Sequence, residues 1–251
     1  MLNTVVIAAI MGLLGAIVGS FVALVTVRMP RGEDVVVARS RCRTCERPLA
    51  PWRMVPILSW LWQRGRCATC GAAISPRYLM IEAASGAIGV WAALRGGDGL
   101  LIGATAVLGW QLLLIAVIDA ENFWLPDILT WPLIATGLAM CALLARAVPW
   151  PQLVGAVAGF AMLWGLAWAY KRFRGRDGLG GGDPFLFAGA GAWVGWVALP
   201  SVLLLACGAA FVLVLGRLVL RRPVSGTDRL PFGTFLAVGI WLVWLYGPIG
   251  L

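Results

Sequence analysis

The sequence contains no histidine, a single lysine and only 11 acidic residues among 251. Without imidazole, the chain cannot build a Ser-His-Asp or Cys-His site, a histidine-ligated zinc protease or a histidine proton relay. The lone lysine, Lys171, lies in a basic stretch, where a membrane-anchoring role is a better interpretation than a Ser-Lys hydrolase. Carboxylates and cysteines are therefore the side chains left for chemistry.

Charge of either sign is scarce, at 12% of residues, while 61% are hydrophobic and the mean hydropathy is +0.90. Soluble domains seldom exceed about half apolar residues, so the composition indicates an integral membrane protein with no separate soluble domain. The first apolar segment, 4–27, is too long for the core of a signal peptide and lacks a basic leader. We interpret it as a retained membrane span.

Apolar runs long enough to cross a bilayer recur along the chain, since a spanning helix needs about 20 such residues. The expected fold is an all-α polytopic membrane protein with about eight transmembrane helices and a small cytoplasmic insert between the first two. The boundary between the sixth and the seventh predicted spans, near Pro200, is the least defined. The predicted spans are 4–27, 78–95, 99–118, 128–147, 152–170, 185–199, 200–217 and 231–250.

Basic residues are concentrated in every second loop, which predicts the orientation of the spans because such loops stay in the cytoplasm. Ten arginines follow the first span, and further clusters follow the fifth (Lys171 to Arg176) and the seventh (Arg217, Arg221, Arg222 and Arg229). Only Arg95 and Arg146 fall on the other side. Both termini are then expected to face away from the cytoplasm. This bias explains the net charge of +9 without nucleic acid, and it favours contact with anionic membrane lipid.

Two aspartates at membrane boundaries are the candidate catalytic pair. Asp119 ends the third predicted span, and Asp183 follows the glycines at 180–182 and precedes the sixth. Two complete spans separate them, so both are expected on the cytoplasmic side. Two carboxylates held close together share a proton, and such a pair can hydrolyse a peptide bond without histidine. Gly180 and Gly182 would let the backbone approach substrate or a partner helix closely.

Each of these signals has a plainer interpretation when taken alone. An aspartate at the end of a span is often an interfacial cap, and a glycine-rich loop beside a helix start is common. Asp127 illustrates this, because it can simply begin the fourth helix after Pro126. Glu82 lies inside the second predicted span, where charges tend to be paired or functional, but the sequence suggests no mechanism for it.

The cytoplasmic insert carries two CxxC pairs, Cys42 with Cys45 and Cys67 with Cys70. Four thiolates at this spacing are typical of a tetrahedral structural zinc site. Disulfides are the competing interpretation, but a basic loop faces the reducing compartment. Free or redox-active thiols stay open as a further alternative. We therefore expect a zinc-ribbon-like insert.

The order of several motifs along nearly the whole chain resembles the type IV prepilin peptidase family, membrane aspartyl proteases with a GxGD motif. The matching segments include both CxxC pairs, the glycines with Asp183, and Ile118-Asp119 followed by Leu125-Pro126-Asp127. Others are 19–21, 28–33, 56–60, 65–67, 74–78 leading to Glu82, 191–193 and 230–233. Any one of these motifs is modest support, and their shared order is specific.

The resemblance implies an activity and a site. Asp119 and Asp183 would be the catalytic aspartates of an endopeptidase that removes the basic leader of a prepilin or pseudopilin. The enzyme would lie in the bacterial inner membrane, with the zinc loop and the active site facing the cytoplasm. Many relatives then N-methylate the new amino terminus with S-adenosylmethionine, and the cysteine-bearing insert is associated with that step. The domains would be 1–27, a first membrane helix; 28–77, the zinc-binding insert; and 78–251, the peptidase.

Two positions depart from the family pattern. The residue two after Phe21 is usually Asn and here is Ala23, and the residue two after the GxGD aspartate is usually Lys and here is Phe185. An ammonium near the aspartates favours the ionised form, so Phe185 predicts a pair that is easier to protonate. The hypothesis is an active enzyme with an altered pH profile or reduced methylation.

Three other functions compete with this one. The chain could be a peptidase without methyltransferase activity, which the mass of a processed amino terminus would reveal. It could be a non-catalytic assembly protein that binds pilin helices. It could also be a transporter, because carboxylates near a membrane interface can relay protons, although a transporter gives no reason for the zinc loop.

Overall fold

The computed structural model describes residues 2–37, 39–176, 178–220 and 230–250. Arg221, Arg222 and Arg229 of the third basic loop lie outside them. The described part of the chain is helical and contains no strand, apart from two isolated β-bridges. The prediction of an all-α fold is confirmed. The helices are α1 Leu2–Arg28, α2 Leu58–Trp62, α3 Pro76–Arg95, α4 Gly99–Asn122, α5 Asp127–Ala145, α6 Trp150–Arg174, α7 Asp183–Val194, α8 Leu199–Val219 and α9 Phe232–Tyr246.

Every predicted span corresponds to a helix, but the helices differ in length. Five of those described are long and apolar enough to cross a membrane: Asn3–Arg31, Gly99–Asn122, Asp127–Ala145, Trp150–Arg174 and Trp196–Val219. By contrast α7 has 12 residues and a length of about 18 Å, short of the roughly 30 Å hydrocarbon core. It ends at Gly195, whose φ of 76° leaves the helical region. A multi-pass membrane protein is confirmed, and the count of eight spans stays a prediction.

The chain divides into two compact units, Met1–Trp110 and Gln111–Leu251, with the division inside α4. In the first unit α1 packs along α3 through small residues. A Cβ built on Gly19 would lie 2.7 Å from the Cβ of Ser85, and one on Gly86 would lie 3.2 Å from the Gly12 carbonyl oxygen. These contacts leave no room for larger side chains, so the glycines set the distance between the two helices.

In the second unit α7 is the central helix, contacting α5, α6 and α9. All of its residues except Phe185 and Val194 are buried. Glycines again permit the approach: a Cβ on Gly155 of α6 would lie 2.6 Å from the Gly191 carbonyl oxygen, and one on Gly159 would lie 2.5 Å from that of Phe187. The indole N–H of Trp193 donates to the Leu133 carbonyl of α5 at 2.9 Å. This packing fixes the position of Asp183, the first residue of α7.

Candidate functional site

Asp119 lies in the last turn of α4 and points toward the first turn of α9. Its side chain is 5% exposed. The backbone N–H of Thr234 donates to Asp119 Oδ2 at 2.7 Å, and the Thr234 hydroxyl lies 3.2 Å from the same oxygen. The first N–H groups of a helix have no partner within it and favour a carboxylate there. This contact ties α4 to α9 and fixes the orientation of the carboxyl group.

Asp183 is the first residue of α7 and is 4% exposed. The backbone N–H of Gly180 donates to Asp183 Oδ2 at 3.0 Å, while the Asp183 N–H donates to the Gly180 carbonyl at 3.2 Å. The glycine loop therefore folds back over its own aspartate. A carboxylate at a helix start is favoured by the helix dipole, which offsets part of the cost of burial.

The two carboxyl groups lie near enough to interact. Asp183 stands outside the five candidate membrane helices, and burial together with the charge of Asp119 raises the pKa of Asp183 to about 7. Two helices, α5 and α6, run between the aspartates along the chain and return it to the same end of the unit. The arrangement can hold one proton between two acids near neutral pH.

Leu125, in the segment between α4 and α5, fills the space between the glycine loop and the first turn of α9. Its backbone oxygen would lie 2.6 Å from a Cβ built on Gly182, and its side chain reaches the corresponding position at Gly233. A Cβ on Gly233 would also lie 3.0 Å from Asp119 Oδ2, and one on Gly180 would lie 3.1 Å from Asp183 Oδ2. A Cβ on Gly181 would meet nothing within 4 Å. The glycines at 180, 182 and 233 are therefore required by close contacts, and Gly181 is not.

Sequence reasoning did not identify Thr234 or Leu125. Both lie within or beside motifs that carried the family resemblance, but their roles depend on contacts between segments distant in the chain. A usable signal was present for Thr234, because a glycine followed by a small polar residue at the start of the last apolar segment offers free N–H groups to a buried anion.

The two positions that depart from the family pattern are both packed. The ring of Phe185 lies 5.0 Å from that of Phe160 and 5.9 Å from that of Trp131, centroid to centroid. Ala23 is fully buried in α1 and its carbonyl accepts the Thr26 hydroxyl at 3.0 Å. Apolar contacts therefore occupy the positions where a polar amide and an ammonium would otherwise stand.

The four insert cysteines form a second candidate site, in the first unit. Their sulfur atoms all lie within 4.8 Å of one another, with Cys42 Sγ and Cys70 Sγ 3.8 Å apart. Zinc–thiolate bonds of about 2.3 Å place two sulfurs of a tetrahedron about 3.8 Å apart. The four thiols are free rather than joined in disulfides. The cluster has the ligands and the spacing to bind zinc.

The two CxxC loops have the same backbone design. Cys42 N–H donates to the Arg47 carbonyl and Cys67 N–H to the Ala72 carbonyl, at 3.0 and 2.8 Å. One isolated bridge closes each loop, Arg41 with Pro48 and Arg66 with Ala73. Backbone N–H groups of Cys70 and Thr69 lower the pKa of Cys67 to about 6, and those of Cys45 and Thr44 lower the pKa of Cys42. The first cysteine of each loop thus has amide groups that stabilise its thiolate. At Cys70 the Ala72 N–H also lowers the pKa, but burial and the neighbouring thiols outweigh it and raise the pKa to about 11.

Comparison with known proteins finds two family models that match this chain. Residues 13–95 match a family model described as bacterial peptidase A24 N-terminal domain, and residues 106–215 match one described as type IV leader peptidase family. A protein of Aeromonas salmonicida is 40% identical over 87% of this chain and 76% of its own length. One of Pseudomonas aeruginosa is 34% identical over 94% and 89%.

A protein of Burkholderia pseudomallei is 41% identical over 84% of this chain and 68% of its own length. All three relatives are named prepilin leader peptidase/N-methyltransferase. No solved structure matches the chain.

Proposed function

The chain belongs to the type IV leader peptidase family, and we propose that Asp119 and Asp183 are the pair with which it cleaves prepilin leaders. We infer that the enzyme then methylates the new amino terminus, since its relatives are named N-methyltransferase as well as leader peptidase. The observation that carries the proposal is the burial of two interacting carboxyl groups in one compact unit, one in the last turn of α4 and one at the start of α7. No histidine is present to do this chemistry instead.

In the proposed reaction the pair shares one proton. Asp183, whose pKa is raised to about 7, is the protonated member and donates a hydrogen bond to the carbonyl oxygen of the scissile bond. Asp119 removes a proton from a water whose oxygen forms a bond to the carbonyl carbon, and it then gives that proton to the nitrogen as the C–N bond breaks and the amine leaves. Thr234 holds Asp119 in one orientation, so that only its other oxygen is free for the water.

The substrate is a prepilin or pseudopilin whose apolar helix lies in the membrane and whose basic leader meets the aspartates. We assign the glycine loop, the aspartates and the CxxC insert to the cytoplasmic face of the bacterial inner membrane. The basic loops support this orientation, since positive charge is retained on that side. Cleavage at this face, before the pilin leaves the membrane, fits a role in pilus assembly or type II secretion.

The described residues show no fold that would identify an S-adenosylmethionine site. They contain no strand, so the strand-to-helix glycine turn of a Rossmann nucleotide site is absent from them. No step of methyl transfer is therefore assigned to particular residues. The four cysteines do fit zinc, which would join the two CxxC loops and stabilise the insert.

Removing either carboxylate tests the proposed function. We expect Asp119→Asn and Asp183→Asn each to lower cleavage of a co-expressed prepilin by about a hundredfold or more, since neither amide can pass a proton. The readout is the ratio of precursor to mature pilin, at matched enzyme levels in the membrane. Asp98→Asn is the control, because Asp98 stands exposed at the opposite end of α4. Normal processing by both site variants would instead support a pilin-binding assembly protein.

The glycine loop offers a matched pair of substitutions. Gly182→Ala forces a Cβ against the backbone of Leu125, whereas Gly181→Ala meets open space. Overpacking of this kind costs about 1–3 kcal/mol, so we expect the cleavage rate of Gly182→Ala to fall about tenfold. We expect the cleavage rate of Gly181→Ala to stay close to that of the wild type. Initial rates on a synthetic prepilin peptide would compare them. Equal rates for the two variants would mean that the contact with Leu125 does not shape the site.

Phe185 tests the electrostatics of the pair. An ammonium there lowers the pKa of Asp183, so in Phe185→Lys the shared proton is lost at lower pH. We expect the decline of cleavage on the alkaline side to move to lower pH than in the wild type. Phe185→Met is the control for lost ring packing against Trp131 and Phe160. If the Lys and Met variants decline at the same pH, charge at this position does not reach the aspartates.

Metal analysis tests the cysteine cluster. The purified chain should carry about one zinc ion. Cys45→Ser should lose most of the zinc, because only three thiolates remain to bind the ion. Cys207→Ser is the matched control, since Cys207 is an exposed thiol of α8 outside the cluster. Mass spectrometry of pilin processed by the same variants would show whether cleavage continues while methylation falls. Zinc retained at wild-type level in Cys45→Ser would contradict the assignment.

A further inference from the structure

Glu82 holds the start of α2 against the side of α3. Its carboxylate is buried and accepts the backbone N–H of Ile57 at 2.7 Å. Ile57 has φ 64° and ψ −56°, and the Leu58 N–H donates to the Pro56 carbonyl at 2.6 Å across it. A β-branched residue in this three-residue turn is strained. The bond from Glu82 fixes the turn, and with it the position of α2.

This attachment places α2 near the depth of the membrane boundary. A Cβ on Gly19 of α1 would lie 2.8 Å from the Cα of Glu82, so the two residues are level with each other. The helix α1 is one of the candidate membrane helices, and its 27 residues make it about 40 Å long, about 10 Å longer than the hydrocarbon core. With the first turn of α1 at one boundary of the core, the other boundary lies about 5 Å beyond Gly19. The start of α2 is therefore anchored close to that boundary, and the last turns of α1 extend past it.

One face of α2 is apolar and uncovered. Leu58, Leu61 and Trp62 are 62%, 53% and 89% exposed, and their spacing puts them on the same side of a helical turn. Trp60 points the other way, and its indole N–H donates to the Ile74 carbonyl at 3.2 Å. Trp52, 72% exposed, lies in the turn just before. The insert therefore packs on Trp60 and leaves the opposite side of α2 free.

The stretch of chain that carries this face has charged residues of one sign. No acidic residue occurs between Glu46 and Glu82, while that segment contains Arg47, Arg53, Arg64, Arg66 and Arg77. A basic prepilin leader would be repelled here, and so would a second copy of the same surface. Anionic lipid headgroups are the complementary partner, and exposed tryptophan and leucine among arginines are typical of helices that lie in the membrane interface.

We propose that α2 is an interfacial helix that docks the cysteine-bearing insert onto the anionic surface of the bilayer, with Leu58, Leu61 and Trp62 inserted at the level of the headgroups. Glu82 sets the height of the helix, and Arg53 and Arg64 contact lipid phosphate. This role does not depend on the aspartates or on cleavage. In this arrangement the buried carboxylate of Glu82 holds the insert at one depth.

Photo-crosslinking in the full-length protein tests the proposal. A benzophenone amino acid replaces Trp62 in one sample and Val36 in another, both in nanodiscs of phosphatidylglycerol and phosphatidylcholine. Val36 is the matched control, because it is an 87% exposed apolar residue of the same insert outside α2. We expect phospholipid adducts at position 62 and few at position 36. Adducts to protein at position 62, or equal lipid labelling at both positions, would overturn the proposal.

The charge contribution is measured separately. Arg64→Gln, with the probe still at position 62, should reduce lipid adducts by about fivefold, the effect of one basic side chain near an anionic surface. Nanodiscs of phosphatidylcholine alone should give a larger loss. Zinc content of each sample reports whether the insert is folded. Labelling that is unchanged both by Arg64→Gln and by the neutral lipid would rule out an electrostatic attachment.

Discussion

The bond between Asp119 and the first turn of α9 is the contact on which the proposed site depends. A carboxyl group that is 5% exposed in an apolar protein is costly unless hydrogen bonds replace its water. The backbone N–H of Thr234 supplies one of them, while the Thr234 hydroxyl donates to the Ala116 carbonyl at 3.0 Å and lies beside the same carboxylate oxygen. These contacts join helices more than a hundred residues apart in the chain. Leu125 then fits between this contact and the glycine loop, so that the position of Asp183 follows from the position of Asp119.

The burial of α7 is the second feature on which the proposed site depends. A 12-residue helix surrounded by α5, α6 and α9 presents its first residue at one end of the packed helices, where loops meet. Glycines on α6 and α7 allow the backbones of the two helices to touch. The geometry of the proposed site thus depends in part on small residues remote from the aspartates, and a Cβ added at Gly155 or Gly159 would disturb it.

The sequence predicted most of the helices, because each apolar run is long and bounded by charge or by proline. It also singled out both aspartates and all four cysteines by motif and spacing. It could not reveal that the helix after Asp183 stops at Gly195, since alanine, valine and leucine continue on both sides of the break. Nor could it show the partner of Glu82, which is the backbone N–H of Ile57 and so leaves no trace in residue identity.

The two CxxC loops are alike in backbone but not in their ease of folding. The position after the second cysteine is left-handed in both, with φ 55° at Glu46 and 73° at Gly71. Glycine adopts this conformation freely, whereas a residue with a Cβ loses roughly 1–2 kcal/mol there. The loop of Cys67 therefore forms without backbone strain at this position, whereas the loop of Cys42 forms against it. Of the two loops, the fold of the Cys42 loop depends more on the contacts that hold the four sulfur atoms together.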